Sequence, residues 1–350
     1  MKLPKQYPAL IGALSIILLL IMAGCRPSEG DSITETELLL GTTISVTVYE
    51  PASDAVAEVF ARVREIEEKM STSEDDYDTT ELLQVNRMAD EAPVAVSDDT
   101  FFVIEAAKDY SESSFGAFDL SIWPLVRLWG FGTADAAIPQ ERRIEETRAL
   151  VDHRKVHLDP ETRSISFEEE GMGIDVGGIA KGYAADEARR ILREHGVRQA
   201  LLDFGGNILT IGEKPDGSLW RIGIQNPDSR RGQFLGVVET GPGAVVTSGD
   251  YERFFEVDGV RYHHIIDPET GYPTRNGLRS VTILAEDSID ADALSTAVFV
   301  LGVEEGTRLI ETLPTVEAAF VTEDTVYLTS GMTIDIVADG YEVIRAPAGS

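Results

Sequence analysis

The sequence predicts an α+β fold of largely antiparallel sheets with peripheral helices, and three observations carry that reading. Many short apolar runs alternate with period two and are separated by Gly, Pro and Asp turns, the pattern of hairpins. Only a few segments carry a helical apolar stripe, and they do not alternate regularly with strands as a doubly wound parallel sheet requires. The chain has 350 residues, 43% of them hydrophobic, which suffices to bury one large core or two small ones.

Residues 1–24 read as an export leader. Lys2 and Lys5 precede an apolar run from Ala9 to Ala23, shorter than the roughly 20 residues a spanning helix needs. Met22-Ala23-Gly24-Cys25 resembles a bacterial lipoprotein processing box and contains the only cysteine of the chain. Cleavage there makes Cys25 the lipidated first residue, and an acylated lone Cys leaves no thiol for a disulfide. The expected location is therefore a bacterial membrane, lipid-anchored, with the folded body facing the periplasm or cell exterior. Residues 25–36, rich in Ser, Glu, Gly and Thr, are expected to be a solvated tether. A domain is expected over 37–335 and a tail over 336–350.

The body then unfolds element by element. Leu38 to Tyr49 alternates after Gly41 and predicts a strand; Val56, Val59, Phe60, Val63, Ile66 and Met70 predict an amphipathic helix that ends at Met70-Ser71-Thr72-Ser73. An acidic loop, a short helix ending near Asn86 and a helix from Thr100 to Ser113 follow. Phe115 to Leu120 turns into the aromatic segment Trp123 to Phe131. Strands are predicted at Gln199–Gly212, Trp220–Gln225, Gly236–Glu239, Ala244–Thr247, Phe254–Val257 and Ser280–Leu284. The formal net charge is −31, and loss of the leader's two lysines makes the chain more acidic still, so nucleic acid is not an expected partner. A polyanionic substrate has to meet a local positive site or a cation.

Gly171 to Asp186, GMGIDVGGIAKGYAAD, reads as a short strand, a paired-glycine turn and an amphipathic helix. Such a turn aims free N–H groups and the positive end of the helix dipole at whatever fills it, as an anion cradle does. Asp175 suits a ribose hydroxyl, a ring N–H or a metal's water shell, and Lys181 suits a phosphate. Glycines that only allow close strand–helix packing explain the residues equally well. Val176 interrupts the dinucleotide fingerprint and no Walker pattern occurs, so neither standard nucleotide fold is licensed.

In Asp290 to Thr296, DADALST, the helical positions Leu294, Ala297, Val298 and Leu301 place Asp292 and Thr296 one turn apart on one face. A carboxylate and a hydroxyl together suit Mg²⁺; an Asp complementing a helix start accounts for the carboxylate without a metal. Between these sites lies Arg261 to Pro273, RYHHIIDPETGYP. Two adjacent histidines on an extended segment face opposite ways, so they form no bidentate metal pair, and no zinc ligand spacing occurs in the chain. One histidine is a chemically reasonable general base, and a hydrogen-bonded structural histidine is the plainer alternative.

Taken together and in order, these segments resemble the ApbE family of FAD:protein FMN transferases. The resemblance rests on Phe118-Asp119-Leu120-Ser121, Trp129-Gly130-Phe131-Gly132 and Gly173 to Tyr183, and continues through Gly205-Gly206-Asn207 and Trp220 to Ile224. Thr247 to Tyr251, His264 to Pro268 with Thr270-Gly271, and Asp292 to Thr296 complete it. It implies FAD as substrate and Mg²⁺ on its pyrophosphate, with metal positions at Asp292, Thr296 and the carbonyl of Gly178. It also implies FAD contacts at Leu40, Ala117, Phe118, Asp119, Asp175, Lys181 and Ile266, with His264 as base and Asp292 as catalytic carboxylate. Ser73 departs from an aromatic often found there, with Tyr77 as a substitute from the loop, and Leu40 replaces a frequent Met.

The expected reaction is metal-assisted transfer of FMN from FAD to a Thr or Ser of a target protein, with release of AMP. Expected acceptors are flavin-carrying subunits of membrane redox pumps. Two other outcomes stay open on the sequence: an FAD pyrophosphatase that uses water, and a lipoprotein that binds flavin without turning it over.

Overall fold

The computed structural model describes residues 32–73 and 77–346; the leader, Cys25 and the first part of the tether lie outside the described residues. The chain opens with strands β1 (Ile33–Leu39) and β2 (Thr42–Val48), then helices α1 (Ser53–Met70) and α2 (Glu81–Met88). Strand β3 (Val94–Ala95), helices α3 (Asp98–Ser113), α4 (Trp123–Trp129) and α5 (Glu141–Arg148), and strands β4 (Val156–Asp159) and β5 (Ser164–Phe167) follow. Helix α6 (Ala180–Glu194) leads to β6 (Ala200–Phe204), β7 (Asn207–Ile211), β8 (Trp220–Gln225), β9 (Phe234–Thr240) and β10 (Gly243–Gly249). Next come β11 (Phe254–Val257), β12 (Val260–His263), β13 (Ser280–Ala285) and the long helix α7 (Ser288–Glu311). The chain closes with β14 (Glu317–Val321), β15 (Thr325–Leu328), β16 (Asp335–Ile336) and β17 (Glu342–Arg345).

Nine strands form one sheet in the order β1-β2-β6-β7-β10-β13-β14-β15-β17, antiparallel throughout except between β15 and β17. Alternation explains how it is buried. On β2, Ile44, Val46 and Val48 point to one face and are fully buried. That face joins Leu202 and Phe204 of β6, Val246 of β10, Ile283 of β13 and Phe320 of β14 in a core shared with α1, α6 and α7. The other face, including Val245, Ala319 and Val321, packs on Trp220, Ile222 and Ile224 of β8 and Leu235 and Val238 of β9. The molecule is thus layered as helices, large sheet and small sheet, the α+β architecture read from the sequence.

Several expected boundaries differ. The single strand over Leu38–Tyr49 is a hairpin: Leu39 pairs with Thr42, and Leu40 and Gly41 both take left-handed φ values of 53° and 66°. A two-residue turn with two positive φ values matches the right-handed twist of the strands it joins. Gln199–Gly212 is likewise two strands turned at Gly205-Gly206. Strand β1 starts at Ile33, inside the stretch read as tether, because its pairing with β2 uses backbone groups and places Thr and Glu side chains outward. The expected tail contains the end of β16 and all of β17, which extends the large sheet. Ile174 to Val176 is extended but belongs to no strand. The Asn86 amide brackets Ile174 through both its N–H and its C=O, and Asp175 N–H donates to Leu120 O.

The contact that positions everything near α6 is its crossing with α7. A Cβ added to Gly182 would lie 2.3 Å from Ser288 O and 2.6 Å from Ile289 Cα, both backbone atoms that cannot swing away. Gly182→Ala is therefore expected to destabilise the fold by about 1–3 kcal/mol, the usual cost of overpacking a closed interface. Urea unfolding checks this, and a midpoint equal to wild type would show that the crossing tolerates a methyl group.

Candidate functional site

Helix α7 starts against α6 because Asp186, on α6, supplies the cap that α7 lacks at its own start. Its carboxylate accepts the N–H groups of Ser288 (3.0 Å) and Ile289 (2.9 Å), with Arg189 at 2.8 Å. Burial pushes this carboxyl up to about 6. One turn further along α7, Asp292 is 3% exposed and reaches back to the first turn of α6. It accepts Gly182 N–H at 3.0 Å and the Lys181 ammonium at 3.1 and 3.3 Å. Lys181 also donates to Gly177 O at 3.1 Å. The anion held at the start of α6 is thus the chain's own Asp292.

Thr296 lies beside the paired glycines. A Cβ on Gly178 would sit 3.2 Å from Thr296 Oγ1 and 3.1 Å from the Phe118 ring, so the bare backbone leaves room there. Asp292 and the Gly177 carbonyl are hard oxygen donors that the ammonium of Lys181 already bonds as a cation would, and the Thr296 hydroxyl lies beside Gly178. Among the described residues no three His, Cys, Asp or Glu side chains gather as a metal group. One carboxylate supplemented by neutral oxygens is a donor set that Mg²⁺ accepts. Ser295 anchors the turn: its hydroxyl donates to Asp292 O at 2.8 Å and meets Ser248 of β10 at 2.7 Å.

The two histidines divide their roles. His263 Nε2–H donates to Thr274 O at 2.9 Å, its Nδ1 accepts Ile265 N–H at 3.3 Å, and its ring packs edge-on against Phe299. Burial pushes its pKa down. Among the described residues His264 bonds through its backbone N–H, to Arg253 O at 2.9 Å, and its buried Nδ1 has no partner, although part of the residue meets solvent. Burial, helped by the charges of Arg253, His263 and Lys181, lowers its pKa to about 3, so the imidazole is neutral at ordinary pH. Arg261 donates to Asp250 at 3.0 Å and pins the β11–β12 hairpin that leads into His264.

Asp175 accepts Gly177 N–H at 2.8 Å and Thr72 Oγ1 at 3.4 Å. Burial raises its pKa against those bonds and against the nearby charges of Arg253 and Lys181. Leu40, with its strained φ, donates its N–H to Glu67 at 2.9 Å, and the Arg253 guanidinium approaches Gly41 O at 3.4 Å. Arg253, which the sequence reading missed, therefore connects the Leu40-Gly41 turn with His264, and its charge acts on Asp175. Arg253 lies two residues beyond the Thr247–Tyr251 motif, and a single Arg in an acidic chain carries no spacing signal.

The remaining expected residues lie in two places, Phe118 and Ala117 beside the glycine turn and Ile266 in another cluster. Phe118 is buried with its ring against Gly178, and Ala117 is half-buried beside it. Asp119 spends its carboxylate inside the chain, accepting Ser121 N–H (2.8 Å), Ser121 Oγ (2.6 Å), and the N–H and Nδ1–H of His153 (3.1 Å each). It shapes the loop that presents Phe118. Ile266 is buried with Leu125, Trp129 and Ile144 in a separate aromatic cluster. Tyr77 N–H donates to Ser73 O at 3.2 Å, closing the loop at the position of the expected aromatic.

Comparison with known proteins identifies the family. Residues 40–320 match the sequence model of the ApbE family. A FAD:protein FMN transferase of Klebsiella pneumoniae (strain 342) is 36% identical, covering 89% of this chain and 96% of its own. One from Treponema pallidum (strain Nichols) is 38% identical, covering 87% and 88%. Among solved structures, the ApbE protein of Thermotoga maritima superposes with a TM-score of 0.76 at 33% identity, covering 87% of this chain and 97% of that one. The flavin transferase ApbE of Vibrio cholerae superposes at 0.77 with 29% identity, covering 86% and 97%. With the family's sequence model spanning most of the chain, and relatives matched over nearly their whole length, this chain belongs to the ApbE family.

Proposed function

We propose that this chain transfers FMN from FAD to a Thr or Ser hydroxyl of a target protein and releases AMP. The observation that carries the proposal is His264. It offers a neutral ring nitrogen that has no partner among the described residues, in a neighbourhood that also holds the charges of Lys181 and Arg253. In the reaction the acceptor oxygen bonds to the phosphorus on the riboflavin side, the P–O bond to AMP breaks in line, and the hydroxyl proton passes to His264. Asp292, Thr296 and the Gly178 carbonyl would hold Mg²⁺, which supplies charge neutralisation at the pyrophosphate. Lys181 would bind a substrate phosphate, while Phe118 and the Leu40-Gly41 turn would border the dinucleotide. An acidic protein accommodates a polyanion here because the positive groups are concentrated at one place.

The localisation belongs to the same proposal. A leader followed at once by a lone Cys25 supports a lipid anchor on a bacterial membrane, and hence an acceptor at the membrane, such as a redox-pump subunit. Cys25→Ser is expected to leave the leader uncleaved and abolish labelling by a radioactive fatty acid. Labelling that persists in this variant would place the lipid elsewhere.

The deciding assay combines the protein, FAD and Mg²⁺, with and without an acceptor polypeptide, and follows AMP release and covalent flavin by mass. Covalent FMN that depends on the acceptor is expected; AMP and free FMN at the same rate without acceptor would make the chain a pyrophosphatase. His264→Gln should lower the transfer rate by about 10²–10⁴-fold, the range of general-base catalysis, with FAD affinity retained. His263→Gln should lower thermal stability instead, since both ring nitrogens of His263 are used in the fold.

The pH profile of kcat/KM gives a further check. A base must be deprotonated to act, and His264 in the free enzyme has its pKa lowered to about 3. No acid limb near the ordinary histidine value of about 6.5 is therefore expected. A limb at that value, lost in His264→Gln, would show that the residue is not held neutral as described.

A further inference from the structure

Arg253 precedes β11, and its backbone carbonyl holds His264 through the N–H···O bond at 2.9 Å. Among the described residues its exposed guanidinium makes a single bond, at 3.4 Å, to Gly41 O, which leaves most of its donors without a partner there. Many arginines of this acidic chain are ion-paired, among them Arg62, Arg189, Arg190, Arg261 and Arg279, while among the described residues no carboxylate lies within ion-pair distance of Arg253. Its charge acts on Asp175, whose own bonds go to Gly177 and Thr72. The turn is shaped for this approach: a Cβ on Gly41 would lie 3.2 Å from Arg253 Nη2.

Resting on the transferase reading, we infer that Arg253 binds phosphoryl oxygens of the FAD pyrophosphate, as a second cation alongside Lys181 and supplied from a different element of the fold. Lys181 comes from α6 and Arg253 from the segment before β11, and both charges reach Asp175 and His264. A pyrophosphate presents two phosphoryl groups, and two cations on separate walls hold it from two sides. The planar guanidinium donates to two oxygens at once, which an ammonium does not. The backbone bond from His264 to Arg253 ties the position of the base to that of the phosphate clamp.

The test measures equilibrium binding of FAD and of riboflavin, which lacks the phosphates, to wild type, Arg253→Ala and Arg253→Lys of the otherwise full chain, with thermal melts alongside. Arg253→Ala is expected to weaken FAD binding about 10–100-fold, the worth of hydrogen bonds to a charged group. Riboflavin affinity and melting temperature should stay at their wild-type values, and Arg253→Lys should restore part of the FAD affinity. FAD binding within twofold of wild type in Arg253→Ala overturns the assignment and leaves the transferase reading intact. Equal weakening of riboflavin overturns it too, because it marks a structural role. A wild-type chain that binds no FAD overturns the functional reading and this assignment together. Should Arg253→Ala melt early, the Arg253→Lys variant decides: a loss for FAD but not for riboflavin supports the clamp, and no loss refutes it.

Discussion

The close crossing of α6 and α7 is the constraint on which the site depends. Gly182 removes the side chain that would hold the helices apart, and Asp186 on α6 caps the first N–H groups of α7. Asp292 reciprocates by accepting Gly182 N–H. Each carboxylate complements the positive end of the other helix, so the two helix starts stabilise one another. This mutual capping also fixes Thr296 beside Gly178, which neither helix does alone. The core beneath supplies rigidity: the buried faces of β2, β6, β10, β13 and β14 press on the same helices.

Charge is distributed for the same purpose. The chain as a whole is strongly acidic, yet the charges of Lys181 and Arg253 both act on Asp175 and His264, and Lys181 also bonds Asp292. Lys181 is engaged with Asp292 and Gly177, whereas Arg253 is nearly unengaged. Burial, with the nearby positive charges of Arg253 and Lys181 adding to it, keeps His264 neutral. A ring nitrogen left without a partner among the described residues is what distinguishes His264 from His263, whose ring is fully used by Thr274 and Ile265.

Much of the fold was legible because its signals are local. The stripe Val56, Val59, Phe60, Val63 and Ile66 marked α1, and the two-residue alternation on Ile44, Val46 and Val48 marked β2. The turns were less legible. Leu40-Gly41 lacks the Asn-Gly or Asp-Gly signature of a tight hairpin, so two strands read as one. Polar β1 read as tether because an edge strand is held by backbone bonds that composition does not record. Ile174 read as strand because its alternation is real, but its partner is the Asn86 side chain, and among the described residues no neighbouring strand pairs with it.

The sequence alone determined the fold class, the faces of its main helices and strands, and the chemical identity of Asp175, Lys181, His264, Asp292 and Thr296, since periodicity and motif spacing act within short windows. Tertiary structure decided which of those groups meet. Asp292 and Gly182 are 110 residues apart in the chain and 3.0 Å apart in space. Arg253 joined the site, Asp119 was consumed by Ser121 and His153, and Ile266 went to the aromatic cluster. The physical reason is that a hydrogen bond or an ion pair depends on distance and burial at the ångström scale, and these are set only when the helices and sheet have packed.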